Sequence, residues 1–279
     1  MSKDLHGKTV LITGANTGIG RATAYDLALR GAEIVMACRS EEKTLPVIEA
    51  IKNGTGNAKI FFEALDLSSL ASVRETATRY LASGRPIHVL INNAGLAGSK
   101  GQTKEGFELA FGVNHLGHFL WTNLLLDRIK ESGDARIINV ASMAHYKAKV
   151  IDWNALTKPS KSKTGLPEYE VSKLANVLHA KALAKRLEGT GITTYSLHPG
   201  VVASDVWRSV PAPIRWVIKK FMISAEDGAA TTLHCVSHAN IAGETGLYYD
   251  KCMKKKPSKL ALDETLAEQL WQRSEAWTN

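Results

Sequence analysis

The chain holds little from which a disulfide scaffold, a metal centre or a membrane span could be built. Cysteine occurs three times, as Cys38, Cys235 and Cys252. The odd number and wide spacing exclude a disulfide framework and fit reduced thiols in the cytoplasm. The histidines show no spacing among themselves or with the cysteines that would hold a metal, so no metal ligand is assigned. The longest apolar runs are strand-length, and Met1 to Lys8 is polar and short. Neither a membrane span nor a signal peptide is therefore read there. Repeats, low-complexity tracts and an internal linker are also missing, so one domain over 1–279 is expected. Lysine and arginine are in excess, giving a net charge of +8. That charge favours an anionic partner: a phosphorylated cofactor, an acidic membrane surface or nucleic acid. Basic residues do not interleave with aromatics and no DNA-binding motif occurs, so nucleic acid is set aside.

The chain is organised around Thr9-Val10-Leu11-Ile12-Thr13-Gly14-Ala15-Asn16-Thr17-Gly18-Ile19-Gly20. A β-branched apolar run ends in a glycine-rich turn, and a helical pattern with small or apolar Gly20, Ala24, Leu27, Ala28 and Gly31 on one face follows. Further strands are read at 33–38, 59–65, 87–91, 136–140, 192–197 and 246–249. Helices are read at 41–53, 69–83, 104–130 and 167–188. A last helix at 263–277 is expected to be capped by Asp263. Strands alternating with helices predict an α/β fold, a single-domain Rossmann fold. Its doubly wound parallel sheet would have about seven strands and helices on both faces.

In such a sheet, ligands bind beyond the carboxyl ends of the strands. The first turn, with Gly14, Asn16, Thr17, Gly18 and Ile19, offers close backbone approach and unpaired helix N–H groups to a pyrophosphate. Strand two ends in Cys38-Arg39, with Lys43 four residues on, where a carboxylate would have held a ribose 2′-hydroxyl. A guanidinium there matches a 2′-phosphate, so NADP(H) is the cofactor read from the chain; the bland reading of Arg39 is a solvated surface group. After strand three, Asp66, beside Leu67, either accepts from an adenine amino group or caps the helix beginning near Ser69. Strand four runs into Asn92-Asn93-Ala94-Gly95, and the small residues Asn93, Ala94 and Gly95 leave room for a ring or ribose.

Tyr169 and Lys173 are one helical turn apart and share a face. A tyrosine has an ordinary pKa of about 10, and a neighbouring ammonium favours its phenolate. Such a pair can exchange a proton with an alcohol or carbonyl oxygen. His115 and His118 flank Gly117 and are read as packing or hydrogen-bonding groups, and His198, before Pro199, as extended.

The glycine turn, Asn92-Asn93-Ala94-Gly95, Ser142, Tyr169-Glu170-Val171-Ser172-Lys173 and His198-Pro199-Gly200 occur in an order and spacing that resemble the short-chain dehydrogenase/reductase family. The likeness spans roughly residues 6–250. Gly112-Val113-Asn114-His115-Leu116-Gly117-His118-Phe119 and Ser172-Lys173-Leu174-Ala175-Asn176-Val177-Leu178 are similar to the retinol dehydrogenase branch. The resemblance implies Tyr169 as acid/base, Lys173 as the group that holds the nicotinamide ribose and tunes Tyr169, and Ser142 on the substrate oxygen. It also implies a water anchored by Asn114, and Pro199, Gly200, Val202 and Ser204 along the nicotinamide. Ser204 stands where the family often has threonine, and the hydroxyl is kept. Family members pair through the helices at 104–130 and 167–188, so a homo-oligomer is implied. Many retinol dehydrogenases carry a membrane anchor before strand one. The expectation here is a relative without it or a chain from which it was trimmed.

Residues 6–203 are thus expected to form the cofactor-binding and catalytic core. Segment 204–223 carries Trp207, Ile214, Trp216 and Phe221 among Arg208, Arg215, Lys219 and Lys220. It reads as a lid over a lipophilic substrate, as an amphipathic helix covering the core, or as a peripheral membrane contact. Loop 144–166 is expected to form the opposite wall, and Lys254-Lys255-Lys256 a solvated loop. The expected activity is NADP(H)-dependent interconversion of a lipophilic alcohol and its aldehyde or ketone, with retinoids first among substrates. Alternatives are a medium-chain aldehyde or steroid reductase and a non-catalytic NADP-binding scaffold.

Overall fold

A computed structural model describes residues 4–201 and 223–279. The chain alternates β1 (Thr9–Thr13), α1 (Gly18–Leu29), β2 (Glu33–Cys38), α2 (Glu41–Thr55), β3 (Ile60–Ala64), α3 (Leu70–Ala82) and β4 (Val89–Asn92). There follow α4 (Leu109–Phe111), a π turn (Gly112–Leu116), α5 (Gly117–Glu131) and β5 (Arg136–Val140). The chain continues through α6 (Leu166–Arg186), β6 (Thr193–His198), α7 (Ala225–Ser237), β7 (Leu247–Asp250), β8 (Met253–Lys254) and α8 (Glu264–Thr278). The strands form one sheet in the order β3-β2-β1-β4-β5-β6-β7-β8. All neighbours pair parallel except β7 and β8. The order reverses between β1 and β4, and that switch point opens a crevice at the carboxyl ends of both strands.

Two apolar layers hold the sheet, because successive side chains of a strand point to opposite faces. Leu11, Val35, Leu90 and Ile137 pack with Phe119, Trp121, Leu174 and Trp271 on one face. Val10, Ile12, Ile34, Met36 and Ile138 pack with Ala24, Leu27 and Cys235 on the other. Side-chain caps set several helix starts. Ser40 accepts from the Lys43 N–H at 3.3 Å and Ser69 from that of Ser72 at 3.3 Å. The expected cap at Asp263 is present, accepting from the Leu266 N–H at 2.9 Å.

Three elements differ from the sequence expectation. The helix read at 104–130 begins at Leu109: residues 101–108 fold into a turn in which Gly106 adopts φ +87° and Gln102 bridges Glu108. The Glu108 carboxylate then starts the helix by accepting from the Phe111 N–H at 2.7 Å. The strand count rises to eight because Lys251 (φ 51°) and Cys252 (φ 60°) make a tight left-handed hairpin turn. Lys254 consequently pairs with Tyr249 in β8 rather than lying in a loop, although Lys254, Lys255 and Lys256 are all exposed. Helix α7 was not foreseen; it is capped by Ser224, which accepts from the Asp227 N–H at 3.0 Å, and packs against α1.

Candidate active site

A cleft of about 1290 Å³ lies over the carboxyl ends of the central strands. Gly14, Asn16, Thr17, Gly18, Ile19, Arg39, Asp66, Leu67, Asn93, Ala94, Gly95, Ser142, Tyr169, Lys173, Pro199 and Gly200 all line it. The structure therefore brings these sequence-selected residues onto one surface. Asn114 is fully buried behind the wall. Val202, Ser204 and segment 204–222 lie outside the described residues. Met143, Ala144, Tyr146, Lys147 and Leu166 line the cleft too, so parts of loop 144–166 do contribute a wall.

The glycine turn fits a dinucleotide for a steric and an electrostatic reason. Gly14 sits at φ +63°, and a Cβ added there would lie 2.9 Å from the Ala94 Cα, so only glycine lets the turn lie against the segment after β4. Thr17, at the amino end of α1, makes no side-chain cap and the first turn carries no acidic residue. Its N–H groups are left for an anion in the cleft. Asn93 has a use the sequence did not show: its Nδ2 donates to the Thr13 carbonyl at 2.8 Å and the Gly14 carbonyl at 3.1 Å. It fastens the turn rather than merely leaving space.

At the end of β2, Arg39 is exposed, has no ion-pair partner among the described residues, and shares the cleft wall with Ser40 and Lys43. Asp66 does not cap α3, a task Ser69 performs. Its Oδ1 closes its own turn, accepting from the Ser68 N–H at 3.0 Å and hydroxyl at 2.7 Å.

Helix α6 starts at Leu166-Pro167, where proline needs no N–H partner, and carries Tyr169 and Lys173 inward. Both are almost fully buried, with Ser142 beside them. The Ser142 hydroxyl hydrogen-bonds Tyr169 and also accepts from the Ala144 N–H at 3.1 Å. The Lys173 Nζ donates to the Val140 carbonyl at 2.8 Å and lies 5.7 Å from the centre of the Tyr169 ring. Burial brings the Lys173 ammonium down to about 7. Burial also pushes the Tyr169 phenol up, and the Ser142 hydrogen bond offsets only part of that. The lowering by Lys173 expected from the sequence does not dominate, because dehydration disfavours both charged forms. Tyr169 accordingly rests as a neutral phenol.

Asn114 lies in the π turn, with its amide committed on both sides. Its Oδ1 accepts from the Leu96 N–H at 2.9 Å, and its Nδ2 donates to the Leu96 carbonyl at 3.0 Å and the Ser172 hydroxyl at 2.9 Å. A Cβ added at Gly95 would lie 3.3 Å from this Oδ1 and 3.4 Å from the Lys173 Nζ, so Asn114 and Lys173 flank the same glycine. Sequence reasoning singled out neither Thr13 nor Asn92 by itself. Asn92 ties β4 to the neighbouring β5 and to α5, donating to the Thr122 hydroxyl at 2.9 Å and the Asn139 carboxamide at 3.0 Å. A polar residue at the end of an otherwise apolar buried strand was the available signal for both.

Residues 8–214 match the short chain dehydrogenase family model. The chain belongs to the short-chain dehydrogenase family. It falls in the retinol dehydrogenase branch: human retinol dehydrogenase 11 is 44% identical over 270 residues, which is 96% of this chain and 84% of that one. A crystal structure of an uncharacterized protein from Mycobacterium paratuberculosis superposes with a TM-score of 0.78 at 32% identity, covering 100% of this chain and 97% of the other. The 3-ketoacyl-(acyl-carrier-protein) reductase of Brucella melitensis complexed with NADH gives 0.69 at 25% identity, covering 95% and 100%. This short-chain dehydrogenase is thus a nucleotide-binding oxidoreductase that works between alcohol and carbonyl. Among its described residues no helix is long and apolar enough to cross a membrane, and no cluster of three His, Cys, Asp or Glu could hold a metal.

Proposed function

We propose that the protein is an NADP(H)-dependent reductase that interconverts a lipophilic alcohol and its aldehyde or ketone, with Tyr169 as the proton donor. The observation that carries this is the buried Ser142–Tyr169–Lys173 group opening onto a cleft whose far end presents Arg39 and Lys43. A bound nicotinamide dinucleotide supplies hydride to the substrate carbonyl carbon.

The chain's own residues do the rest. Gly14 and the open amino end of α1 receive the pyrophosphate, and the cationic end of β2 favours a 2′-phosphate over a bare ribose. Pro199 and Gly200, on the cleft wall after β6, border the nicotinamide. Ser142 holds the substrate oxygen, and the neutral Tyr169 phenol gives it a proton as the carbonyl becomes an alcohol. Lys173 binds the ribose and, in its ammonium form, stabilises the phenolate left on Tyr169; Asn114 fixes the turn beside it. A phenol held protonated by burial suits reduction, the direction a reduced NADPH pool drives. The apolar fraction of the wall and the name of the human relative favour a lipophilic substrate, a retinoid first. The cytoplasm is the compartment we propose.

The test is NADPH consumption, with NADH as control, against all-trans-retinal, decanal and a ketosteroid. NADPH-selective turnover of one of them is the expected result. Preference for NADH would remove the Arg39 assignment, and NADPH binding without any turnover would favour a non-catalytic scaffold.

A further inference from the structure

We propose that His118 is a positioning residue of this active site, its two ring nitrogens joining the phosphate turn after β1 to the Asn114 turn behind Lys173. His118, Thr13 and Asn114 are all buried and out of reach of water. The Thr13 Oγ1 accepts two backbone hydrogen bonds, from the Asn93 N–H at 3.0 Å and the Ala94 N–H at 2.9 Å. A hydroxyl has two lone pairs and one proton, so both acceptor sites are taken and the proton must be donated. The Ile91 carbonyl lies 3.5 Å away, whereas the His118 Nε2 lies at 2.8 Å. The short contact takes the proton. Nε2 is therefore the acceptor nitrogen, and Nδ1 carries the hydrogen that it donates to the Asn114 carbonyl at 3.0 Å. Burial keeps the ring neutral, down to about 4, as this arrangement requires.

The consequence is a continuous chain of hydrogen bonds from the glycine turn to α6. Thr13 and Asn93 fix the glycine turn; His118 links Thr13 to Asn114; Asn114 reaches the Ser172 hydroxyl, which donates to the Tyr169 carbonyl at 2.7 Å. His118 is buried and does not line the cleft, so it acts through Thr13 and Asn114. It sets the distance between the element that receives phosphate and the helix that carries Tyr169 and Lys173. This proposal rests on the catalytic assignment of Tyr169 and Lys173 above.

The two nitrogens can be tested apart. His118→Gln keeps an acceptor near the Thr13 hydroxyl, whereas His118→Asn keeps a donor near the Asn114 carbonyl. NADPH affinity is read by fluorescence titration, which needs no substrate, and kcat is read with the preferred carbonyl. One net hydrogen bond is worth roughly three- to tenfold in an equilibrium or rate constant. His118→Asn should therefore bind NADPH about three- to tenfold more weakly than His118→Gln, and His118→Gln should show a kcat lower than that of His118→Asn by a similar factor. Thr13→Val, which also takes the acceptor from the Asn93 and Ala94 N–H groups, should bind NADPH at least as weakly as His118→Asn, and the Thr13→Val/His118→Asn double variant should bind no worse than Thr13→Val alone. A merely structural histidine would lower the melting temperature and leave the two variants equal in affinity and in kcat. That equality, or additive losses in the double variant, overturns the proposal. A split in affinity with no turnover by the wild type would overturn the catalytic assignment and leave the link standing. If neither histidine variant folds, unchanged NADPH affinity in Thr13→Val overturns the link.

Discussion

The Lys173 ammonium lies 5.7 Å from the centre of the Tyr169 ring, yet its hydrogen bond goes to the Val140 carbonyl, 2.8 Å away. Among the described residues no carboxylate pairs with this buried cation, and burial holds it at about 7 rather than 10.5. Between those two pH values the unfolded chain keeps a proton that the native chain has released. The stability contribution of Lys173 therefore rises with pH through that window, and the full penalty stands below about 7. Lys173→Met should be inactive but more stable than the wild type near pH 6, in the absence of cofactor. The gap should close as pH approaches 10.5, the ordinary lysine value. Urea denaturation of both proteins from pH 6 to 10.5 measures it. Parallel curves would show that the charge does not govern stability here.

Tyr169→Phe removes one oxygen from a packed site and leaves the ring. Without a proton donor, kcat should fall by about 10²–10⁴. NADPH affinity should hold, since the phenyl ring still fills the cleft wall. Steady-state kinetics and fluorescence titration together decide it. Turnover within a factor of two of the wild type would sink the proton-donor assignment.

The exposed end of β2 carries the cofactor choice. Arg39→Asp exchanges a guanidinium for a carboxylate at the proposed 2′-phosphate position. A hydrogen bond to a charged group contributes roughly 1.5–3 kcal/mol. NADPH affinity should therefore drop about ten- to a hundredfold, with NADH affinity unchanged or improved. Equal losses for both cofactors would mean that Arg39 supports the fold of the loop and reads no phosphate.

How much of this was legible in the sequence depended on whether a residue acts through its neighbours in the chain. Strands β1 to β7 and the cap at Asp263 follow from local patterns of apolar and β-branched residues and from an aspartate placed before a helical period. The Tyr169–Lys173 pair follows from helical spacing. By contrast, β8 depends on two non-glycine residues, Lys251 and Cys252, accepting positive φ, which no local preference announces. Glu108 ends a loop because it meets Phe111 and the 150–160 region, a contact only the fold creates. Asp66 offered an adenine contact or a helix cap on spacing alone; it closes a turn with Ser68, and Ser69 took the cap. His118 read as a packing or hydrogen-bonding group with no partner named, because Thr13 and Asn114 meet it only in the fold.

The histidines around α5 and α6 give the protein a particular weakness to acid. Burial lowers His179 to about 3 and His118 to about 4, and takes His115 well below its ordinary value. His115 and His179 meet edge to face at 5.7 Å, and His115 holds the Ser274 hydroxyl of α8 at 2.9 Å. Each folded pKa lies under the ordinary 6.5, so below that pH the unfolded chain takes up protons the native chain refuses. Stability is then lost progressively as pH falls from about 6.5 towards 4. His179 is the group to replace, because its Nε2 is buried without a hydrogen-bond partner and its ring packs on Phe119 and Trp271. His179→Leu should outlast the wild type in urea at pH 5, with the gap narrowing once pH exceeds about 7, where both states of the wild type hold a neutral ring. A gap of constant size from pH 5 to 8 would assign the gain to packing alone and remove protonation of His179 from the account of acid unfolding.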